Sequence, residues 1–344
     1  MTLPSFSVVV ETANLSMAEL DGVRETLESL SAQSLPIENA ADVFLVDSGD
    51  VPEPVLQHML STYGWVRAMR LPRGTGYEEL KMAGANAATG EVVVFVDGDC
   101  FYERGWLEAM LAPFSDRSVL VVGGATAIDS RTAYGLGVAI AFSFAARGSS
   151  PALHTTNRYH MNNVAFRRSV LQSIPIPSRR PCYRMTGLHV AALEAAGHTI
   201  WRQPAARARH APPNGFFHFM WRFLLFGHDG VAVPRLIAAE ARSLGRSRHQ
   251  HRTTLQLFKR WTVQSTVKLI EHFRLQPSRV LSIPIVAPVI VGAVIFQAAG
   301  AVAALLAPKR LLEAMPDDLL RASTCQPGPE LSPSAAQREP GKTL

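Results

Sequence analysis

Cysteine is scarce in this 344-residue sequence, and the three present, Cys100, Cys182 and Cys325, are widely scattered. That excludes a disulfide framework and a four-ligand zinc site, and it fits a reducing compartment. Charge is scarce too: charged residues make up 18% of the chain, below the ~25% usual for soluble domains. A basic n-region, a long apolar leader and a small-residue cleavage site are all missing from the N-terminus, where Met1 to Ser5 runs straight into the strand-like Phe6–Val10. A secretion signal is therefore not expected. With 47% hydrophobic residues, disorder of the whole chain is excluded, and the length allows one large domain or two small ones.

The apolar residues that replace the missing charge are concentrated late in the chain. Leu281 to Ala307 is a run of 27 uncharged residues. As a helix rising ~1.5 Å per residue it exceeds the ~30 Å hydrocarbon core, so a tilted transmembrane span and a re-entrant hairpin are both open. Before it, Arg235 to Arg279 holds ten Lys or Arg against Glu240 and Glu271. Within that segment Leu255 to Leu275 places Arg260, Gln264, Lys268 and His272 on one helical face and Leu257, Trp261, Leu269 and Phe273 on its neighbour. The pattern predicts an interfacial helix drawn to anionic lipid, with the attached domain on the cytoplasmic face of a cell membrane and no nucleic-acid partner. The expected division is 1–230 as a catalytic domain, 231–280 as basic surface helices, 281–307 as the membrane segment and 308–344 as a Pro/Ser-rich tail, disordered from about 322.

The first 230 residues alternate. Strands are predicted at Phe6–Val10, Val43–Val46, Val66–Leu71 and Val92–Val96, separated by helices at Ala18–Ser31, Glu53–Tyr63 and Tyr77–Ala88, the last opened by the glycines of Arg73-Gly-Thr-Gly76. Alternation of this kind predicts a parallel sheet covered on both faces, with ligands at the carboxyl ends of the strands. At one such end stands Val96-Asp97-Gly98-Asp99-Cys100, two carboxylates on one turn that suit a hard divalent cation and the diphosphate it would hold.

From Phe6 to Asp229 the chain resembles the family 2 glycosyltransferases, inverting enzymes of the A-type (GT-A) glycosyltransferase fold. The resemblance lies in Phe6-Ser-Val-Val-Val-Glu-Thr-Ala-Asn14, Val43-Phe-Leu-Val-Asp-Ser-Gly49, the run Gly84 to Asp99 into Asp-x-Asp, Gly105-Trp-Leu107, Asn162-Asn-Val-Ala-Phe-Arg-Arg168 and Leu193 to His210. It implies an α/β, Rossmann-like mixed but mainly parallel sheet. It also implies transfer of a sugar from a nucleotide-diphospho-sugar donor, UDP being the expected nucleotide, to a lipid or saccharide acceptor, as in building cell-envelope polysaccharide. Donor binding falls to Glu11, Asp47, Lys81 and Asp97; a Mn²⁺ or Mg²⁺ ion to Asp97, Asp99 and His210; the acceptor side to Asn163, Arg167 and Arg222. For Lys81 a solvated helix lysine is the alternative, and for His210 a plain loop histidine.

The sequence also departs from that family. Its usual Glu-Asp, whose Asp is the catalytic base, would fall at Met185 and Thr186, and no acid lies between Arg179 and Leu193. The Gln-x-x-Arg-Trp signature is absent as well, which argues against a processive synthase. His189, near the start of the same helix, is the expected substitute base beside Asp99, with an idle helix histidine as its alternative. Two other functions stay open: a catalytically inactive nucleotide-sugar-binding scaffold, and a nucleotidyltransferase of related sheet topology.

Overall fold

The computed structural model describes residues 3–12, 20–49, 51–142, 152–177, 182, 184–243, 263, 266–267 and 269–313. The predicted alternation is present with bounds shifted by a residue or two. It runs β1 (Phe6–Glu11), α1 (Leu20–Ser31), β2 (Asp42–Asp47), α2 (Glu53–Thr62), β3 (Arg67–Arg70), α3 (Tyr77–Ala87) and β4 (Val92–Asp97). The chain continues through β5 (Cys100–Tyr102), α4 (Trp106–Leu111), β6 (Val121–Ile128), α5 (Ala133–Ala141), β7 (His154–Thr156), β8 (Asn163–Arg167) and α6 (Arg168–Ser173). It closes with α7 (Thr186–Ala195), β9 (Ile200–His210), α8 (Gly215–Ser243), α9 (Ile283–Leu306) and the short α10 (Arg310–Glu313).

One sheet takes up all these strands in the order β3-β2-β1-β4-β8-β6-β9-β5, with β7 added on β9. The block β3-β2-β1-β4 is parallel, β8 runs antiparallel between β4 and β6, and β9 returns parallel to β6. The sheet is thus mixed, as the family resemblance implied and as strand–helix alternation alone did not.

Alternation along the central strands supplies a core on each face. Val8 and Val10 of β1, with Val92, Val94 and Val96 of β4, meet Val23 and Leu27 of α1, Leu56 of α2 and Trp106 of α4. Val9, Val93 and Phe95 point the other way, onto Leu80 of α3, Val170 of α6 and Leu193 of α7. In the turn before α3, Gly74 sits at φ +83, a conformation L side chains rarely adopt. That turn fixes the start of α3 beside the end of β4.

The uncharged run forms one continuous helix, α9, after a 3₁₀ turn at Pro277–Ser282. Its buried positions are the small or slim Val286, Ala293, Gln297, Gly300 and Ala304, whereas Leu281, Ile285, Val291, Ile295, Val302 and Leu306 are exposed. The buried stripe lies against α8 and α5 at the closest range two helices allow. A Cβ on Gly300 would stand 1.9 Å from the Leu224 carbonyl oxygen, and one on Gly227 2.0 Å from that of Gln297. Small residues at the crossing and large ones outward are how helices pack where lipid is the solvent. Of the predicted amphipathic helix, residues 269–275 are helical, with Leu269 and Phe273 packed beside Leu136, Ile140 and Val286. Arg260, Gln264, Lys268 and the tail beyond Glu313 lie outside the described residues.

Candidate active site

The carboxyl ends of β1 and β4 lie side by side, with Glu11 in register with Asp97. The turn after β4 is held from below: the Asp97 backbone N–H donates to the Tyr102 hydroxyl at 3.2 Å, and that hydroxyl donates to the Asn162 carbonyl at 2.7 Å. Over this turn opens a cavity of about 340 Å³, walled by Tyr77 and Glu78 from α3, Arg158 to Asn162 before β8, Arg184 and Thr186 at the start of α7, His210, and Arg222 and Phe226 from α8.

Asp97 borders the cavity but its oxygens already have partners. Lys81 Nζ stands 2.6 Å from Oδ1 with its side chain wholly buried, and Tyr77 Oη donates to Oδ1 at 2.9 Å and to Oδ2 at 3.0 Å. Burial alone would push the Asp97 carboxyl up; Lys81, assisted by His210 and the Tyr77 hydrogen bond, holds it below the usual range instead. Lys81 also donates to the Val96 carbonyl at 3.0 Å, so it serves as the counter-ion beneath the turn rather than as a cleft cation for diphosphate.

Asp99 is arranged differently. Its Oδ2 lies 3.4 Å from His210 Nε2, and Cys100 Sγ completes a trio of donor atoms all within 4.8 Å of one another. Burial raises the Asp99 carboxyl, against the opposing pull of His210 and Arg222. Burial also raises the Cys100 thiol well above its ordinary value, and its soft sulfur matches a hard cation less well than oxygen or imidazole does. The donor set that fits a cation is therefore the Asp99 carboxylate with the His210 imidazole, oxygen and nitrogen ligands suited to Mn²⁺ or Mg²⁺. The expected trio of Asp97, Asp99 and His210 is reduced to two, because Asp97 is neutralised by Lys81.

Other expected residues fall elsewhere. Asp47 ends β2 and organises its own loop, accepting from Thr12 Oγ1 at 2.7 Å and from the backbone N–H groups of Gly49 and Val51. Asn163 points away from the cavity, accepting from Trp106 Nε1 at 2.7 Å and donating to the Ala206 carbonyl at 3.1 Å; one residue earlier on the pleat, Asn162 faces it. Arg167 pairs in register with Val92, at the opposite end of β4 from Asp97, roughly 17 Å away at ~3.3 Å per residue. There it binds Glu91 and the carbonyls of Phe114, Asp116 and Val119, a structural clasp and not an acceptor contact.

His189 is the clearest correction. Its ring is fully buried on the inner face of α7, accepting from the Tyr159 hydroxyl on Nδ1 at 2.6 Å and donating from Nε2 to the Ile174 carbonyl at 2.9 Å. Burial lowers its pKa to about 4. With both nitrogens engaged and no face on the cavity, it is a core histidine. Its neighbours at spacing four, Met185 and Leu193, are buried too, a stripe already visible in the sequence.

Residues 7–174 match the family described as Glycosyl transferase family 2. Over those residues, just under half of the chain, the sequence is similar to the family 2 glycosyl transferases. A probable N-acetylgalactosaminyltransferase 9 of Caenorhabditis elegans is 31% identical over 158 residues, 45% of this chain and 26% of that protein. The glycosyltransferase AglE of Haloferax volcanii is 26% identical over 125 residues, 36% of this chain and 40% of its own. The chain thus spans about a quarter to two fifths of the length of these curated relatives. Among solved structures, a mannosyltransferase from Pyrobaculum calidifontis in complex with GDP-Man and Mn²⁺ superposes with a TM-score of 0.57 at 18% identity, covering 89% of this chain and 88% of that one, so the two share the GT-A fold. The family match reaches from β1 to α6; Arg184, His210 and Arg222, which complete the cavity, lie beyond it.

Proposed function

We propose that the protein is a glycosyltransferase that takes its sugar from a nucleotide-diphospho-sugar and hands it to a lipid or saccharide hydroxyl with inversion. One observation carries the reading: just past the carboxyl end of β4, in a family 2 domain, Asp99 sits 3.4 Å from His210, which lines a cavity large enough for a sugar nucleotide's reactive end. The relatives' names, all of them glycosyltransferases, support it.

In this reading the residues divide the work. Glu11 and Asp47, at the ends of neighbouring strands, shape the nucleotide end. Asp97, held by Lys81 and Tyr77, keeps the turn rigid, and Arg222 brings positive charge to the cleft. A divalent cation on Asp99 and His210 would supply neutralisation of the diphosphate as it departs. The exposed apolar face of α9, 30 residues long with its 3₁₀ lead-in, is the surface by which we place the enzyme on the cytoplasmic side of a membrane, next to the cytoplasmic nucleotide sugars.

Titration calorimetry of the full chain with UDP-GlcNAc, UDP-GalNAc and GDP-mannose, with Mn²⁺ and with chelator, tests the reading. At least one donor should bind and be slowly hydrolysed, with affinity falling tenfold or more in chelator or in Asp99→Ala. Equal affinity in all three conditions removes the cation from the site; binding without turnover under any condition marks an inactive scaffold.

A further inference from the structure

The start of α7 carries the opposite charge to the one found there in the family it resembles. Met185 and Thr186 fall where the missing Glu-Asp would stand. The residue before them, Arg184, lines the cavity, with its guanidinium 5.9 Å from the centre of the Phe226 ring.

The cations of the cavity fall into two sets. Arg222, from α8, acts on the Asp99 carboxyl and so belongs to the end of the cleft that receives the donor's diphosphate. Arg158 and Arg184 act on His160: burial, together with the charges of Arg202, Arg158 and Arg184, holds that imidazole well below its ordinary range. The ring is therefore neutral and a weak proton acceptor, and the field that keeps it so is one that attracts an anion. Arg158 is exposed and has no acid as an ion-pair partner among the described residues. Among those residues two acids line the cavity; Lys81 and Tyr77 hold Asp97, and Glu78 accepts from the Met185 N–H at 3.4 Å.

Another part of the lining is apolar: Ile128 at the end of β6, Phe142 just after α5, and Phe226. Ile128 and Phe142 belong to a cluster that takes in Val138 of α5, Phe219 and Phe223 of α8, and Ala293 and Phe296 of α9. The apolar side of the cleft is thus continuous with the helix whose outer face we place in the membrane.

We infer that the acceptor is a lipid ending in a phosphate monoester: its hydrocarbon chain lies on Ile128, Phe142 and Phe226, Arg158 and Arg184 bind its phosphate, and a phosphate oxygen takes the sugar. The inference rests on the glycosyltransferase reading and specifies the accepting oxygen of its lipid acceptor. A phosphate monoester carries a charge of about −1.5 to −2 at pH 7, so its attacking oxygen has no proton to lose and the acid missing from α7 is not needed. The planar arginine fork suits phosphate oxygens two at a time. In the step, an electron pair of the phosphate oxygen forms the new bond to the anomeric carbon. The bond from that carbon to the diphosphate oxygen breaks, and its pair leaves with the nucleoside diphosphate. No proton changes hands.

The test uses the full chain in detergent with Mn²⁺, the same three donors, and three acceptors: farnesyl phosphate, farnesol, which has the chain without the charge, and methyl phosphate, which has the charge without the chain. Farnesyl phosphate should accept sugar with a kcat/KM on the order of 100-fold above farnesol, the usual worth of the general base that farnesol would need. It should exceed methyl phosphate at least tenfold. Arg158→Gln should raise the KM for farnesyl phosphate at least tenfold while the donor's KM stays within about twofold, and Arg158→Lys, which keeps the charge, should recover part of the loss. Farnesol as good as farnesyl phosphate overturns the inference, since the site then activates a hydroxyl; methyl phosphate as good as farnesyl phosphate overturns the lipid. An unchanged KM for farnesyl phosphate in Arg158→Gln, or an equal rise in the donor's KM, also overturns it. Donor binding with no transfer to farnesyl phosphate overturns the inference alone. Failure to bind any donor overturns the glycosyltransferase reading, and the inference falls with it.

Discussion

Replacing Lys81 by Met separates two roles for the lysine. Its ammonium is wholly buried and stands 2.6 Å from an Asp97 oxygen whose side chain is itself only 4% exposed. At an effective dielectric of about 20, charges at 2.6 Å attract by roughly 6 kcal/mol before the cost of taking both from water. Much of that attraction is offset by desolvation, so the pair adds little net stability, but removing one member strands the other and costs about 3–5 kcal/mol. Lys81→Met should therefore lower the unfolding midpoint by about 10 °C, taking ~2–4 °C per kcal/mol for a domain of this size. Adding Asp97→Asn removes the stranded charge and should restore most of the loss, a coupling that thermal unfolding of both single variants and the double variant reads directly. A Lys81→Met protein with an unchanged midpoint and abolished donor binding would refute this account and return Lys81 to the diphosphate.

The crossing of α8 and α9 gives a paired test in glycines. Gly300→Ala would force a Cβ to 1.9 Å from the Leu224 carbonyl, whereas Gly230→Ala, in α8, puts its methyl into open space with nothing within 4 Å. Unfolding in detergent should show Gly300→Ala destabilised by about 1–3 kcal/mol through overpacking and Gly230→Ala stabilised by about 0.5–1 kcal/mol through helix propensity, and equal midpoints would undo the crossing. His189 sets a pH dependence of stability. Because its folded pKa, about 4, lies below the ordinary 6.5, its contribution is complete above pH 6.5 and is lost as pH falls towards 4. Urea unfolding at pH 7.5 and 4.5 should differ by about 3 kcal/mol more in wild type than in His189→Gln, at ~1.4 kcal/mol per pKa unit, and identical pH slopes would refute the buried neutral imidazole.

The first half of the sheet is readable from sequence because Val- and Phe-rich runs of five or six residues and their intervening helices each carry a strong local period. The Asp-x-Asp turn is readable for the same reason, since it ends such a run. What escapes is the direction in which a side chain leaves its element once partners decide. Asn162 and Asn163 are adjacent and chemically identical; the pleat gives the cavity to the first and the Trp106 indole to the second. Arg167 looks like a ligand-binding arginine in Ala-Phe-Arg-Arg, and only the antiparallel pairing of β8 with β4 puts it at the wrong end of the sheet. The contact of Glu78 with the Met185 N–H across the cleft has no local signal, because the two residues lie more than a hundred apart in the chain.

The backbone contact between Gly300 and Leu224 has a consequence for how the proposed transferase would meet its acceptor. Arg222 and Phe226, two walls of the cavity, belong to the same helix that α9 grips, and about 7.5 Å of helix separates Arg222 from Gly227. A catalytic head on a flexible tether sweeps a volume tens of ångströms across and can find acceptors dissolved above the surface. In the membrane placement proposed above, α9 and the wall of the cleft would move as one body, so the mouth of the cleft would keep a fixed height and tilt above the surface that receives α9. The search for an acceptor would then be two-dimensional: the protein would turn and drift in the plane and reach only those acceptor groups that the surface itself presents at that height.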